Sequence, residues 1–266
     1  MRALMMLVIA SPLALADSVE RYELNNGNLI LEGIPIIPLE AQHSLFPYQE
    51  IRSARFRTWS AGDGGIYVTT GYGSVEALHK VDKPRAAREQ KTFFREPVSR
   101  VARRPGSQQL TFTRDVGGSE FSQIFKFDPE AGEATMLSDG KSRNGSLRWD
   151  RRGERIAYQS TRRNGAANDL WVMRPDEPET AELVVAATDG SYWAPVEFSQ
   201  TGTRLLAWNR ISKPDIRACL IDLDTGAVTV LSGGGQTKSR NVPIAFDDNN
   251  NGFWLVTNQG LSLIHI

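Results

Sequence analysis

The sequence predicts an all-β fold, a β-propeller built of four-stranded blades, with about five blades present and the ring incomplete. Three observations predict it. A fourteen-residue stretch, Leu147–Ser160, returns as Val196–Asn209, so that Trp149 to Phe198 and Gly153 to Gly202 are each 49 residues apart. A looser copy runs from Phe246 to Thr257, 48 residues after Phe198. A second pair of apolar runs follows each copy, and helix-period stretches are almost absent beyond the N-terminus. A repeat of this length means a solenoid, an array or a propeller. With 23 glycines and 13 prolines in 266 residues, the composition suits a turn-rich β protein.

Each copy reads as an aromatic strand end, a polar turn with Gly, and a short apolar strand. Gly supplies the positive φ that such hairpin turns require. The second hairpin of a unit runs through Gln123–Asp128, a turn at 129–132, and Ala134–Leu137. In another unit it is Ala218–Leu223, a turn at 224–226, and Val228–Leu231. Asp169–Met173 with Glu182–Val185 fills the same role between them, and Ala77–Asp82 stands 46 residues before Gln123–Asp128. Two hairpins make the four strands of one blade. The units centre on Ile66–Val68, Leu110–Phe112, Ile156–Tyr158, Leu205–Ala207 and Trp254–Val256.

The chain divides into four parts. Residues 1–16 read as a secretory signal peptide: Arg2, an apolar run from Ala3 to Leu15, and the small-x-small ending Ala14–Ala16. The alternative is a buried N-terminal strand or helix. Residues 17–55 are expected to form a connecting segment with the first strands, residues 56–260 the blades, and residues 261–266 a suspect tail, read as an artefact of truncation. The repeat stops after the second strand of a unit, so a truncated reading frame is expected. Export to a periplasm or beyond follows from the leader.

Formal net charge is zero, with 31 basic and 31 acidic residues. That gives no electrostatic case for nucleic acid or an anionic membrane. Arg100–Arg104 and Arg148–Arg155 are read as solvated surface. Cys219 is the only cysteine, which rules out an internal disulfide, and its apolar strand marks it as a small buried hydrophobe.

Loop wording narrows the reading further. The stretches are Asn26–Leu29 with Glu32–Pro35, Pro47–Gln49 with Arg52–Ala54, Leu78–Val81 and Glu96–Val98. They continue with Gly117–Glu120 and Gln123–Ile124, Asp139–Asn144, Ser160–Gly165 and Asp169–Val172. In their order and spacing, from about Asn25 to Gln259, the chain resembles the N-terminal propeller region of secreted prolyl oligopeptidase family serine peptidases. The resemblance implies a propeller over an α/β-hydrolase domain of the same parent chain, restricting entry to peptides. Nucleophile, acid and histidine would all follow the propeller, and no hydrolase domain follows Ile266 here. A stand-alone periplasmic propeller of the Tol-system type, serving protein interaction, is the second reading. A propeller enzyme with its site in the central channel is the third.

No residue is assigned a catalytic, cofactor-binding or metal role. Gly117–Phe121 is the nearest approach to a G-x-S-x-G nucleophile elbow, but it lacks the last Gly and a following helix, and reads as a connection between strands. His43, His79 and His265 are the available imidazoles, and nothing orients any of them as the base of a triad. Asp247, Asn249, Asn251 and Gly252 match the start of a calcium loop, but the twelfth position is Asn258 rather than Glu, and the segment falls on a hairpin turn. Glu120 and Arg143 lie in connections, where they either meet a peptide terminus or the hydrolase domain, or form a salt bridge or cap between blades. Trp149, Phe198 and Phe246 share one repeat position and read as core between blades.

Overall fold

The computed structural model describes residues 19–35, 38–49, 53–249 and 251–259. The expected leader, residues 1–16, and the tail, residues 261–266, lie outside the described residues. The chain forms two compact units, residues 1–49 and 50–266.

In the first unit, strands β1 (Arg21–Leu24) and β2 (Leu29–Glu32) pair antiparallel around a turn. Asn25 and Asn26 both take φ 56 there, the left-handed region that Asn tolerates better than most residues. Helix α1 (Leu39–Gln49) follows, where the sequence reading placed only a connecting segment. Its apolar residues Leu39, Leu45, Phe46 and Tyr48 line no common face and all are exposed, so no helical periodicity announced it. Pro47 sits in the last turn, where it removes one backbone donor.

The second unit is a series of antiparallel sheets. Strands β3 (Ala54–Trp59), β4 (Ile66–Thr70), β5 (Ala77–Val81) and β6 (Glu89–Gln90) form the first blade. The second comprises β7 (Val98–Arg103), β8 (Leu110–Arg114), β9 (Gln123–Asp128) and β10 (Glu133–Met136). The third holds β11 (Asn144–Trp149), β12 (Ile156–Ser160), β13 (Asp169–Arg174) and β14 (Glu177–Val185). The fourth holds β15 (Tyr192–Phe198), β16 (Arg204–Ser212), β17 (Asp215–Asp222) and β18 (Val228–Ser232). A two-stranded sheet, β19 (Asn241–Phe246) and β20 (Phe253–Thr257), ends the series. Among the described residues, four full blades and the first hairpin of a fifth therefore occupy the five expected units.

Core packing lies between blades. Tyr67 and Leu78 of the first blade cluster with Leu110, Phe112 and Phe127 of the second. Ile124 and Leu137 of the second join Leu147, Ile156 and Met173 of the third. Ala157, Leu170 and Val172 of the third meet Phe198, Leu205 and Cys219 of the fourth. Second strands are covered on both faces, which is why all five residues of β12 are buried and its sequence does not alternate. The outermost strands β10 and β18 are largely exposed.

The repeated aromatic is one of the pieces joining blades. Trp149 Nε1 donates to Thr111 Oγ1 of the preceding blade at 3.0 Å. The Arg104 guanidinium lies 5.5 Å from the Trp149 ring centre, and its Nε donates to the Gly153 carbonyl at 2.7 Å. One blade on, Arg155 stacks over Phe198 at 5.5 Å and donates to the Gly202 carbonyl. Phe198 is fully buried and Phe246 is 8% exposed. Trp59, the same position in the first blade, is 61% exposed, having no earlier blade among the described residues to cover it. Gly153 is required twice over: φ is +72, and a Cβ would stand 2.6 Å from the Pro105 carbonyl oxygen.

Every first strand carries a bulge at a corresponding place: Phe56/Thr58, Ser99/Ala102, Gly145/Arg148, Pro195/Glu197 and Pro243/Ala245. These strands adjoin one another in the order β3, β7, β11, β15, β19, as innermost strands of a propeller do. Bulges raise local twist and re-aim side chains. Arg100 (φ 49) and Ser146 (φ 50) sit at two of them in the left-handed region.

Candidate functional site

In an antiparallel blade, the connections from second to third strand and those from blade to blade emerge at the same end. Four of the stretches that carry the family resemblance, around residues 96–98, 117–120, 139–144 and 160–165, meet this end on the second and third blades.

Side-chain hydrogen bonds organise these loops. Glu96 accepts from Arg114 Nη1 at 2.5 Å and from the Gly117 amide at 3.1 Å. Arg114 is held between Phe94 and Phe125, 4.5 and 4.8 Å from their ring centres. Asp115 accepts from the amides of Ser119 and Glu120, each at 3.0 Å. Buried Gln123 accepts from Ser138 Oγ and the Gly140 amide, and donates to the carbonyls of Phe121 and Ser142. Asn144 donates to the Ser122 carbonyl at 3.0 Å. Burial pushes the Asp139 carboxyl up, but hydrogen bonds from Ser142 and the Lys141 amide, with the Arg162 charge, leave it below its ordinary value.

Two charged side chains stand on this frame. Glu120 has φ 60, an unusual conformation for a residue with a long side chain, and its carboxylate is exposed. The Arg143 amide donates to Thr161 Oγ1, its carbonyl accepts from the Thr161 amide, and its guanidinium lies 5.1 Å from the Phe121 ring centre. Neither forms an ion pair within 4.0 Å among the described residues, so of the expected salt bridge or cap between blades, a salt bridge is not formed there. The blades are joined elsewhere, by Arg104 and Lys126 on Asp176 at 2.8 and 2.9 Å and by Arg151 on Glu197 at 3.4 Å.

His79 is buried in β5, with Nδ1 3.0 Å from the Ala77 carbonyl, which can only accept, so Nδ1 carries the proton. Burial lowers its pKa, and Tyr72 packs edge-on at 5.3 Å. His43 lies exposed on α1, in the other unit, and His265 lies outside the described residues. Gly117–Phe121 is a connection between β8 and β9, as expected. The Asp247 carboxylate accepts from the Asn251 amide at 2.9 Å while the Asp247 amide bonds the Gly252 carbonyl, the geometry of a hairpin turn. Cys219 is buried, its thiol pushed up to about 11 by burial. Among the described residues no serine is paired with a histidine, and what this end of the blades offers is binding by exposed charge. The bulges and the arginines stacked between blades were not legible in advance.

No protein-family model matches the sequence, and no curated protein matches it in sequence. Solved structures do match in fold. A prolyl endopeptidase studied for inter-domain dynamics in catalysis and specificity superposes with TM-score 0.58 at 12% identity, covering 94% of this chain and 43% of that one. Prolyl oligopeptidase B from Galerina marginata, bound to a 35mer hydrolysis and macrocyclization substrate, gives 0.57 at 11%, covering 91% and 42%. A putative TolB from Agrobacterium tumefaciens gives 0.53 at 18%, covering 74% and 72%. The chain thus spans under half the length of the two peptidases. The likenesses show a shared propeller fold.

Proposed function

We propose that this chain is the substrate-gating, non-catalytic propeller portion of an exported prolyl oligopeptidase family serine peptidase that acts on peptides. The observation that carries the reading is the ordered set of family-like loop stretches, four of which fall at one end of the blades around Glu120 and Arg143. The fold shared over 94% of the chain with a prolyl endopeptidase supports it. In this reading the propeller works passively. It docks on the α/β-hydrolase domain of its parent and admits peptides by size. The parent would cleave by acyl transfer from a serine, with hydrogen-bond donors holding the oxyanion. The apolar leader of residues 1–16 supports export to a periplasm or beyond; among the described residues no helix is long and apolar enough to cross a membrane.

The alternative is a stand-alone TolB-type propeller acting as a protein-interaction module, favoured by the likeness that covers 72% of the Agrobacterium TolB. One experiment separates the two. The chain alone is assayed against peptide and ester substrates, then again after joining it in frame to the hydrolase domain of a family member. The proposal expects no serine-reagent-sensitive turnover from the chain alone, and cleavage restricted to short peptides when joined. Turnover by the chain alone, or a joined enzyme that cleaves long and short substrates alike, contradicts it.

A further inference from the structure

The innermost strands of the second and third blades carry two arginines, Arg100 and Arg148, that form no ion pair among the described residues. Arg100 stands at the bulge of β7, and no hydrogen bond, ion pair or ring contact holds its guanidinium among the described residues. It lies over the neighbouring first strand: a Cβ on Gly145 would be 3.8 Å from its Nε and 3.9 Å from its Cζ. The Arg100 guanidinium thus reaches the strand that carries Arg148, at ordinary contact distance from Gly145. Arg148, at the far side of the β11 bulge, donates Nε to the Val196 carbonyl at 3.1 Å and Nη1 to the Leu147 carbonyl at 2.8 Å. Its Nη2 edge has no hydrogen-bond partner among the described residues. As a residue Arg148 retains exposed surface, yet burial first, and the Arg100 charge second, hold its pKa below the ordinary arginine value. A half-enclosed cation open on one edge accounts for both.

The nearest acid along β15 is already committed. Glu197 accepts from the Phe246 amide at 2.7 Å and faces Arg151 at 3.4 Å. Two like charges that feel each other, with no acid paired to either among the described residues, cost free energy in the unliganded protein, and an anion between them relieves that cost. The donors define the anion. Arg100 presents a whole fork, and Arg148 contributes one remaining edge. A planar carboxylate, with two oxygens and about four lone-pair sites, matches one fork plus one extra donor.

We infer that Arg100 and Arg148 form a carboxylate-binding site on the inner wall of the propeller, taking either a peptide C-terminus or an acidic side chain. The inference concerns binding by the propeller alone and does not rest on the peptidase reading. The test is isothermal titration of the full chain with three capped peptides and with inorganic phosphate. The peptides are N-acetyl-triglycine with a free C-terminus, N-acetyl-Gly-Glu-Gly-amide, and N-acetyl-triglycine-amide as the uncharged control. Binding of either carboxylate peptide without binding of the control supports the site; the free-terminus peptide alone identifies a chain end, and the Glu peptide identifies a side chain. Loss of one charge-assisted partner weakens affinity roughly tenfold or more, so Arg100→Ala is expected to do so while Arg100→Lys retains part of it. Relief of like-charge repulsion makes folded Arg100→Ala no less stable than the parent without ligand, a result a merely structural arginine would not give. Arg148→Lys serves as an independent second variant. Equal binding of the control, binding of phosphate alone, or unchanged carboxylate affinity in the folded Arg100 variants overturns the inference.

Discussion

Replacing Phe198 by Ala tests whether the repeated aromatic holds blades together. Phe198 is fully buried in the cluster shared by the third and fourth blades, packed with Ala157, Leu170 and Leu205. Phe-to-Ala changes in cores cost about 3–5 kcal/mol, the sum of lost transfer energy and the cavity left behind. The Arg155 guanidinium stacked at 5.5 Å loses its ring as well, adding about 0.5–1 kcal/mol. A loss near 4 kcal/mol is therefore expected, a large share of the roughly 5–15 kcal/mol that holds an ordinary domain. Trp59→Ala is the internal control: the same repeat position, but 61% exposed, so its cost should stay within about 1 kcal/mol. Urea unfolding followed by intrinsic fluorescence and circular dichroism measures both, with stability read from the midpoint while the slope is unchanged. Equal costs at the two positions would refute the assignment of this aromatic to the core between blades.

Gly153→Ala should cost about 2–3 kcal/mol or more, since it combines the left-handed penalty with a Cβ 2.6 Å from a backbone oxygen. Gly165→Ala, at φ +79 in open space, should cost only about 1 kcal/mol in the same unfolding assay. Burial raises the Tyr158 hydroxyl from 10.0 to about 12. Its folded pKa lies above its unfolded one, so its contribution is fully present below about pH 10 and is lost as pH rises towards 12. Alkaline unfolding curves should show this decline, and Tyr158→Phe should flatten it. Cys219, with its thiol near 11, should resist iodoacetamide at pH 8 until urea unfolds the protein; rapid native-state labelling would contradict its burial.

The blades were legible because their units combine three independent demands at fixed spacing. Trp149 and Phe198 fill a gap between blades, Gly153 and Gly202 supply positive φ, and Ile156–Tyr158 and Leu205–Ala207 are covered on both faces. What the sequence concealed lacks such a signature. Strand β14 starts at Glu177 rather than at the expected Glu182, because Pro178 and the preceding turn read as loop; an outermost strand tolerates proline on its open edge. Helix α1 has no apolar stripe. Arg104 and Arg155 do the same work in successive blades from different repeat positions, so alignment of the repeats hides them. The candidate site was legible only as a position. Glu120 and Arg143 were placed correctly in connections, but that Phe121 rather than an acid would receive Arg143 depends on how the connection at Asp115–Ser119 folds. The proposed site at Arg100 and Arg148 depends on two bulges, which no residue type marks.

The most direct test of the central claim is to sequence the genomic DNA that continues the reading frame beyond the codon for Gln259. The account predicts further blade repeats followed by an α/β-hydrolase domain with a G-x-S-x-G elbow between a strand and a helix. A frame that completes its blades and then terminates with no such elbow would contradict the peptidase reading and leave the stand-alone propeller in its place.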